Sequence, residues 1–205
     1  LANASHELRS PLTRIRMGLE LMGGNQPSPA FREEILRNIA ELDQLVDEIL
    51  LASRLDAREA DVGTVELVDL IGLAAEECAR VDAELDVTAV PEGLEVRGVA
   101  KLLRRALRNL LENARRYSQG DITVVLQRHD GQAQLSVLDR GPGVPPALRE
   151  RIFEPFYRLP GASERAGGVG LGLALVRSIA QRHNGSVRCE DQPDGSGGAC
   201  FVLRL

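Results

Sequence analysis

One stretch of the sequence, RNLLENARRYS at 108–118, carries two amides and a guanidinium at spacings that bring them together on a helix. Asn109, Asn113 and Arg116 stand at i, i+4 and i+7, and these positions share one helical face. A different face carries the predicted buried stripe of this helix, which comprises Leu107, Leu110, Leu111 and Ala114. Amide oxygens are suitable ligands for Mg²⁺, and a guanidinium pairs with the phosphates that such an ion bridges. The face therefore indicates a site for Mg²⁺ and phosphate, although an ordinary exposed polar face has the same pattern.

A second stretch, DRGPGVP at 139–145, follows a predicted strand. Asp139, at the end of that strand, can accept a hydrogen bond from an exocyclic amine, which adenine has and guanine lacks at the corresponding position. Gly141 and Gly143 let the backbone approach a flat ring without a Cβ in the way. An ordinary turn between a strand and a loop explains the same residues, so this stretch alone favours neither interpretation.

A third stretch, GGVGLGLALV at 167–176, runs into a predicted helix. Gly168, Gly170 and Gly172 can expose backbone N–H groups at the start of that helix, where unpaired donors and the helix dipole favour phosphate. The spacing matches neither the G-x-x-x-x-G-K-[ST] phosphate loop nor the G-x-G-x-x-G dinucleotide fingerprint. By itself, such a glycine loop is weak evidence for a phosphate site.

Near the start of the chain, ASHELRSPL at 4–12 sets a histidine beside a carboxylate in a predicted helix. Glu7 can accept a proton from one imidazole nitrogen of His6, which makes the other nitrogen a better nucleophile toward a phosphoryl group. Pro11 lacks an N–H, so it leaves the carbonyl of Glu7 without its helical partner and bends the helix there. A lone exposed histidine is normally inert, so the interpretation of His6 depends on the rest of the chain.

Two amphipathic helices must position His6. Apolar residues recur at helical spacing over 1–22 and again over 30–57, and the breaker-rich GGNQPSP at 23–29 joins the two segments. A hairpin this narrow cannot enclose a core alone, so we expect a second copy to complete a dimeric four-helix bundle. The predicted seams comprise Leu8, Leu12, Ile15, Leu19 and Met22 in the first helix and Ile35, Ile39, Leu42, Val46 and Ile49 in the second.

After DAREADVG at 56–63 the heptads stop and helices alternate with strands. This alternation predicts an α/β sandwich with a mixed or antiparallel sheet, so the fold class is α+β, with a helical hairpin over 1–58 and a sandwich domain over 63–205. The Gly- and Pro-rich stretch between 140 and 170 is typical of a functional lid or a disordered segment. Helices are predicted at about 69–84, 99–117 and 171–183, and strands near 64–68, 85–89, 94–97, 121–129, 132–139, 186–190 and 199–205.

Composition limits the classes of function. The chain of 205 residues has a formal net charge of −5, which argues against nucleic acid as a partner because nucleic-acid-binding surfaces are usually basic. Cys78, Cys189 and Cys200 are odd in number and form no C-x-x-C pair, so they predict neither a disulfide framework nor a zinc site. No apolar run reaches the roughly 18 residues of a membrane span, and we expect no signal peptide. Because Leu1 lies inside a helical pattern, we expect the chain to be a fragment.

Together, the ordered motifs resemble the catalytic core of bacterial two-component sensor histidine kinases. The resemblance rests on the His–Glu helix, the Asn-bearing helix, the D-x-G-x-G turn, FEPFYR at 153–158 and the G-x-G-x-G helix start, in that order. It covers essentially the whole chain and implies a dimerisation and phosphoacceptor hairpin, then an ATP-binding domain of the gyrase, chaperone, histidine kinase and MutL type. The implied activity is that of an ATP-dependent protein-histidine kinase that uses ATP and Mg²⁺.

The resemblance also implies roles for single residues. His6 would accept the phosphoryl group and Glu7 would activate it. Asn109 and Asn113 would be the Mg²⁺ ligands, and Asp139 would bind the adenine amine. The other residues that the resemblance assigns to ATP or to the lid are Arg116, Tyr117, Gly141, Gly143, Phe153, Phe156, Arg158, Gly168, Gly170, Leu171 and Gly172.

Two positions depart from the commonest pattern of this family. Arg116 stands where Lys is frequent, which keeps the charge and changes its geometry. Ser10 stands where Thr or Asn usually orients the water that dephosphorylates the partner protein. Because Ser10 keeps a hydroxyl, the resemblance leaves phosphatase activity toward a response regulator open.

The implied partners are a second copy of the chain, bound through the hairpin, and a response regulator whose aspartate takes the phosphoryl group from His6. The implied location is the cytoplasmic side of a bacterial inner-membrane protein whose anchor precedes Leu1. Two alternatives are an ATP hydrolase or conformational switch of the same superfamily, and a dimerisation scaffold without catalysis. The His6–Glu7 pair argues against the first alternative, and the intact Asn109, Asn113 and Asp139 argue against the second.

Overall fold

The structure is a computed structural model that describes residues 12–17, 29–57, 63–118, 120–159, 170–195 and 197–205. These residues fall into two compact units, divided after Ser53. Among the described residues, no helix has the length and apolar character that a membrane span requires.

The first unit is helical. Residues 12–17 form one helical segment, and helix α1 spans Pro29–Asp56. Arg14 Nε donates to Oδ1 of Asn38 over 2.8 Å, and Nδ2 of Asn38 donates to the carbonyl of Glu34 over 2.8 Å. Asn38 is 7% exposed and Leu45 is 3% exposed, so these two residues mark the face of α1 that is buried within the unit.

A second face of α1 is apolar and exposed. Leu36, Ile39, Val46 and Leu50 recur at helical spacing and are between 41% and 60% exposed. The predicted seam through Ile39 and Val46 is therefore not the face that packs within one chain.

The second unit is built on two sheets. Strands β1 (Glu66–Asp69) and β3 (Glu95–Gly98) form an antiparallel pair. The other strands are β2 (Glu84–Asp86), β4 (Thr123–His129), β5 (Gln132–Leu138), β6 (Ser186–Asp191) and β7 (Ala199–Arg204). Within the described residues they form one five-stranded sheet in the order β2-β4-β5-β7-β6, in which β2 and β4 are parallel and the other neighbours are antiparallel.

Three helices accompany this sheet: α2 (Leu70–Ala79), α3 (Ala100–Tyr117) and α4 (Gly172–Arg182). The predicted apolar stripe of α3 is buried, since Leu107, Leu110 and Ala114 are 0% exposed and Leu111 is 1% exposed. Aligned apolar residues of the central strands form one face of the sheet, and burying the stripe against it excludes water from both. That face includes Val124, Leu126, Leu135, Val137, Phe201 and Leu203.

Two local features test the sequence interpretation. The predicted turn at Asp130–Gly131 is present, with φ of +51° and +81°, as a tight hairpin of this kind requires. Helix α2 ends at Ala79, earlier than the predicted 84, because Asp82 adopts a φ of +57° that no helix tolerates.

A buried ion cluster joins α2 to α3. The carboxylate of Glu77 is 1% exposed and accepts two hydrogen bonds from Arg108, each 2.9 Å long, and one of 3.2 Å from Arg104. The hydrogen bonds from Arg108 hold the pKa of Glu77 below its ordinary value, although burial opposes them. The cluster fixes the side of α3 that faces α2.

Candidate functional site

Asp139 directly follows β5 and is 3% exposed. Its N–H donates to the carbonyl of Ala199 over 3.0 Å, and its Oδ1 accepts from the N–H groups of Gly141 at 2.8 Å and Ala199 at 3.2 Å. The other carboxylate oxygen, Oδ2, accepts no hydrogen bond from the described residues. One oxygen therefore fixes the carboxylate, while the second is available to a ligand.

The loop between β6 and β7 holds Asp139 from the other side. Gln192 is 6% exposed, and its Nε2 donates to the carbonyl of Asp139 over 2.6 Å. Gly198 has a φ of +98°, and a Cβ there would lie 1.9 Å from the same carbonyl oxygen, so only glycine fits. Sequence reasoning missed both residues. The glycine run at 195–198 marks a tight turn, but nothing in it names Asp139 as the partner.

The two glycines after Asp139 lie against the protein's own backbone. A Cβ on Gly141 would lie 2.6 Å from the carbonyl oxygen of Tyr117, at the end of α3. A Cβ on Gly143 would lie 3.0 Å from the carbonyl oxygen of Gly198. The space that these glycines leave is thus occupied by neighbouring main chain, a reason for glycine that the sequence interpretation did not include.

The Asn-bearing face of α3 meets the start of α4. Asn109 is 5% exposed, and its Nδ2 donates to the carbonyl of Gly172 over 3.1 Å. Because a carbonyl oxygen can only accept, the amide nitrogen faces Gly172 and Oδ1 of Asn109 is left for a ligand. Asn113 is half-buried and Arg116 is exposed, and neither side chain hydrogen-bonds to a described residue. The structure therefore presents two amide groups and a cation on one face.

The two flanks of the predicted lid are held together. The N–H of Phe156 donates to the carbonyl of Gly170 over 2.9 Å, and Phe156 has a φ of +63°, which is strained for a bulky side chain. Phe153 is 1% exposed and its ring lies edge-on to Phe201 of β7, with centroids 6.4 Å apart. One flank is thus anchored in the core.

Helix α4 begins without a capping side chain. Leu171, its N-cap residue, is 4% exposed and makes no capping hydrogen bond with its side chain. The first N–H groups of a helix lack partners within the helix, so an uncapped start is open to an anion. Tyr117 and Arg158, two other predicted site residues, are half-buried. The predicted residues that lie outside the described ranges are His6, Glu7, Ser10 and Gly168.

Two protein families match the chain. Residues 98–205 match the family described as histidine kinase-, DNA gyrase B-, and HSP90-like ATPase. Residues 1–58 match the His Kinase A (phospho-acceptor) domain. The first match lies within the predicted sandwich domain over 63–205, and the second coincides with the predicted hairpin over 1–58.

Individual proteins are similar over nearly the whole chain. Sensor histidine kinase CpxA of Escherichia coli (strain K12) is 37% identical over 201 residues, which cover 95% of this chain and 44% of CpxA. The signal transduction histidine-protein kinase/phosphatase MprB of Mycobacterium sp. (strain KMS) is 36% identical over 222 residues, which cover 100% of this chain and 42% of MprB. The chain thus spans less than half the length of these curated relatives. The structure of Acinetobacter baumannii histidine kinase AdeS has a TM-score of 0.79 and 23% identity, covers 98% of this chain and 96% of AdeS, and confirms the predicted fold class.

Proposed function

Because the chain belongs to the two-component sensor histidine kinases and carries their phosphoacceptor and ATP-binding domains, we propose that it transfers the γ-phosphoryl group of ATP to its own His6. The observation that carries the proposal is the buried Asp139, whose Oδ1 is fixed by two backbone N–H groups while Oδ2 is available. The domains would occupy 1–58 and 63–205.

Adenine would be selected by Asp139. Its free oxygen can accept a hydrogen bond from the exocyclic amine of adenine, whereas guanine presents a carbonyl oxygen at that position. Gln192 and Gly198 hold the backbone of Asp139 in place, so the acceptor is fixed before the base arrives.

The phosphates would lie between α3 and the start of α4, and the residues there fit a Mg²⁺ ion. Asn109 and Asn113 would supply amide oxygens, which are hard ligands of the kind that Mg²⁺ prefers. Among the described residues, no group of three or more His, Cys, Asp or Glu side chains could hold a metal, so most other ligands would come from phosphate and water. A bound Mg²⁺ would neutralise phosphate charge. Arg116 and the uncapped N–H groups of α4 would bind phosphate oxygens.

Phosphoryl transfer would use the lone pair of one imidazole nitrogen of His6. That nitrogen forms a bond to the γ-phosphorus, the bond from this phosphorus to the bridging oxygen breaks, and ADP leaves with the electron pair. Glu7 takes the proton from the other ring nitrogen. The carboxylate of a response-regulator aspartate would then accept the phosphoryl group from His6.

A second copy of the chain would cover the exposed apolar face of α1. Leu36, Ile39, Val46 and Leu50 recur on one side of the helix, and all are at least 41% exposed in the single chain. Packing this face against its copy would complete the predicted four-helix bundle and remove the apolar surface from water.

A phosphatase activity toward the same regulator is a second candidate, favoured by the similarity to MprB, which is named a kinase/phosphatase. Ser10 would orient the attacking water. The domain would act on the cytoplasmic side of a membrane protein, where ATP is available.

Incubation with γ-labelled ATP and Mg²⁺ tests the proposal. The proposed kinase places label on the protein, a hydrolase releases it as phosphate, and a scaffold does neither. His6→Gln should abolish labelling without changing ATP affinity, while His129→Gln, on the exposed end of β4, serves as the matched control. The label should be lost in acid and kept in base, as a phosphorus–nitrogen bond requires. Labelled phosphoserine, or full labelling of His6→Gln, would refute the assignment.

A further inference from the structure

Helices α3 and α4 are joined by hydrogen bonds near both ends of α4. At its start, Gly172 accepts from Nδ2 of Asn109 over 3.1 Å. At its end, His183, the residue after Arg182, accepts at Nε2 from the backbone N–H of Val99 over 3.0 Å. Val99 is the N-cap residue of α3. These two contacts together fix how far α4 can slide or tilt along α3.

The contacts of His183 define its protonation state. Nδ1 lies 2.8 Å from the carbonyl oxygen of Ile179, and a carbonyl oxygen can only accept, so Nδ1 carries the proton. Nε2 faces the N–H of Val99, so Nε2 must keep its lone pair. The imidazole is therefore neutral with its proton on Nδ1. A proton on Nε2 would direct one N–H at another.

The start of α3 needs this acceptor. In a capping box, the third helical residue accepts a hydrogen bond from the N–H of the N-cap residue. Here the third helical residue is Leu102, whose side chain has no hydrogen-bond acceptor. The side chain of Val99 makes no capping hydrogen bond either. His183 supplies the missing acceptor from another helix. Its ring lies so close to Gly98 that a Cβ there would approach Nε2 to 2.9 Å and Cδ2 to 2.8 Å.

We propose that His183 is a positioning residue for phosphoryl transfer: its neutral imidazole holds α4 in register with α3, so that the start of α4 stays aligned with Asn109 and Asn113. The proposal rests on the proposed function, since it takes the phosphates and Mg²⁺ to lie between these helices. Asp139 is held by β7 and the β6–β7 loop instead, so adenine binding should not depend on His183.

Three variants separate this role from a general effect on folding. His183→Leu removes the acceptor, His183→Gln restores one, and Gly98→Ala displaces the ring without touching its chemistry. His183→Leu and Gly98→Ala should each lower the labelling rate and raise the half-saturating Mg²⁺ concentration by about tenfold, the usual effect of losing a group that orients metal ligands. Binding of ADP without Mg²⁺ should stay at the wild-type value, and His183→Gln should recover most of the rate.

The tautomer of the His183 imidazole can be measured by NMR, independently of any enzymatic activity. The chain has three histidines, so long-range ¹H–¹⁵N spectra of the labelled protein can be assigned with His6→Gln, His129→Gln and His183→Gln. Wild-type His183 should show a protonated Nδ1 and an unprotonated Nε2, even if His183→Leu does not fold. A protonated Nε2 would overturn the proposal, and so would wild-type Mg²⁺ dependence in folded His183→Leu. If the wild-type chain takes no label, the proposed function is wrong. The proposal for His183 can then still be tested by comparing the Mg²⁺ dependence of ATP binding in the wild type and in His183→Leu.

Discussion

Replacing Asp139 with asparagine exchanges one carboxylate oxygen for an NH₂ group, so that a hydrogen-bond donor faces the base where an acceptor stood. Oδ1 of Asp139 accepts from the N–H groups of Gly141 and Ala199, and these donors can be satisfied only by an oxygen. The asparagine oxygen must therefore occupy that position, and its NH₂ group must take the place of Oδ2. A donor would then face the amine of adenine, so the variant should lose ATP affinity while keeping its internal contacts.

The size of the effect follows from the contacts. Losing a hydrogen bond to a charged group costs about 1.5–3 kcal/mol, which corresponds to roughly a 10- to 150-fold weaker Kd for ATP. The two internal hydrogen bonds persist with a neutral acceptor, so the free energy of unfolding should fall by less than about 2 kcal/mol. Asp139→Ala should also destabilise the fold, because it leaves the N–H groups of Gly141 and Ala199 without their acceptor.

Calorimetric titration with ATP and GTP, together with thermal unfolding, measures these quantities. The ratio of ATP to GTP affinity should fall at least about tenfold, because the new amide donor suits the carbonyl oxygen of guanine. Asp130→Asn is the matched control, since Asp130 is 83% exposed in a hairpin turn whose φ of +51° suits asparagine. Wild-type ATP affinity in a folded Asp139→Asn protein would show that Asp139 does not bind adenine.

Two further predictions concern Asn113, on the Asn-bearing face of α3, and Glu77, in the ion cluster between α2 and α3. Asn113→Ala should weaken Mg²⁺-dependent ATP binding about 10- to 100-fold and abolish labelling, with no change in thermal stability; normal labelling would remove Asn113 from the metal site. Glu77→Gln should lower the free energy of unfolding by roughly 1–3 kcal/mol at neutral pH, less than for a fully buried pair because Arg104 and Arg108 are 35% and 32% exposed. The folded-state pKa of Glu77 lies below its ordinary value of 4.5, so the stabilisation is complete above 4.5 and is lost as pH falls through the folded-state pKa. Denaturant titrations at decreasing pH should show the difference between the two proteins narrowing as the pH falls through the folded-state pKa of Glu77. A difference that stays constant over the whole range in which both proteins are folded would contradict this origin of the stability.

Local patterns in the sequence were sufficient for the elements that carry the site. The apolar stripe of α3 predicted both the helix and the face that it buries, because a period of 3.6 residues leaves little choice of orientation. The turn at Asp130–Gly131 was equally readable, since both residues tolerate a positive φ. In these places the chemical reason for the structure lies within a few neighbouring residues.

The sequence did not predict contacts between residues that lie far apart along the chain. Gln192 lies 53 positions from Asp139, and its hydrogen bond to that carbonyl leaves no periodicity in the sequence. His183 and Val99 are 84 positions apart, and a single histidine near a helix end gives no sign of its partner. The sequence analysis did not assign the face of α1 that packs within the chain. This face runs through a polar residue, Asn38, whose amide is satisfied by Arg14 and Glu34. A heptad pattern is defined by apolar residues alone, so it does not predict that a polar residue such as Asn38 is buried.

Helix α3 contributes residues to both the adenine side and the phosphate side of the proposed nucleotide site. Its C-terminal end touches the adenine side, where the carbonyl of Tyr117 lies against Gly141, and its middle carries Asn109 on the phosphate side. Its N-terminal end is held by His183. Loss of the hold at the N-terminal end would shift Asn109 relative to the start of α4. The hydrogen bonds from Gln192 and Ala199 to Asp139 would keep the proposed adenine contact in place. Contacts from α4 and from the loop after β5 thus hold a helix whose own sequence provides no N-cap side chain.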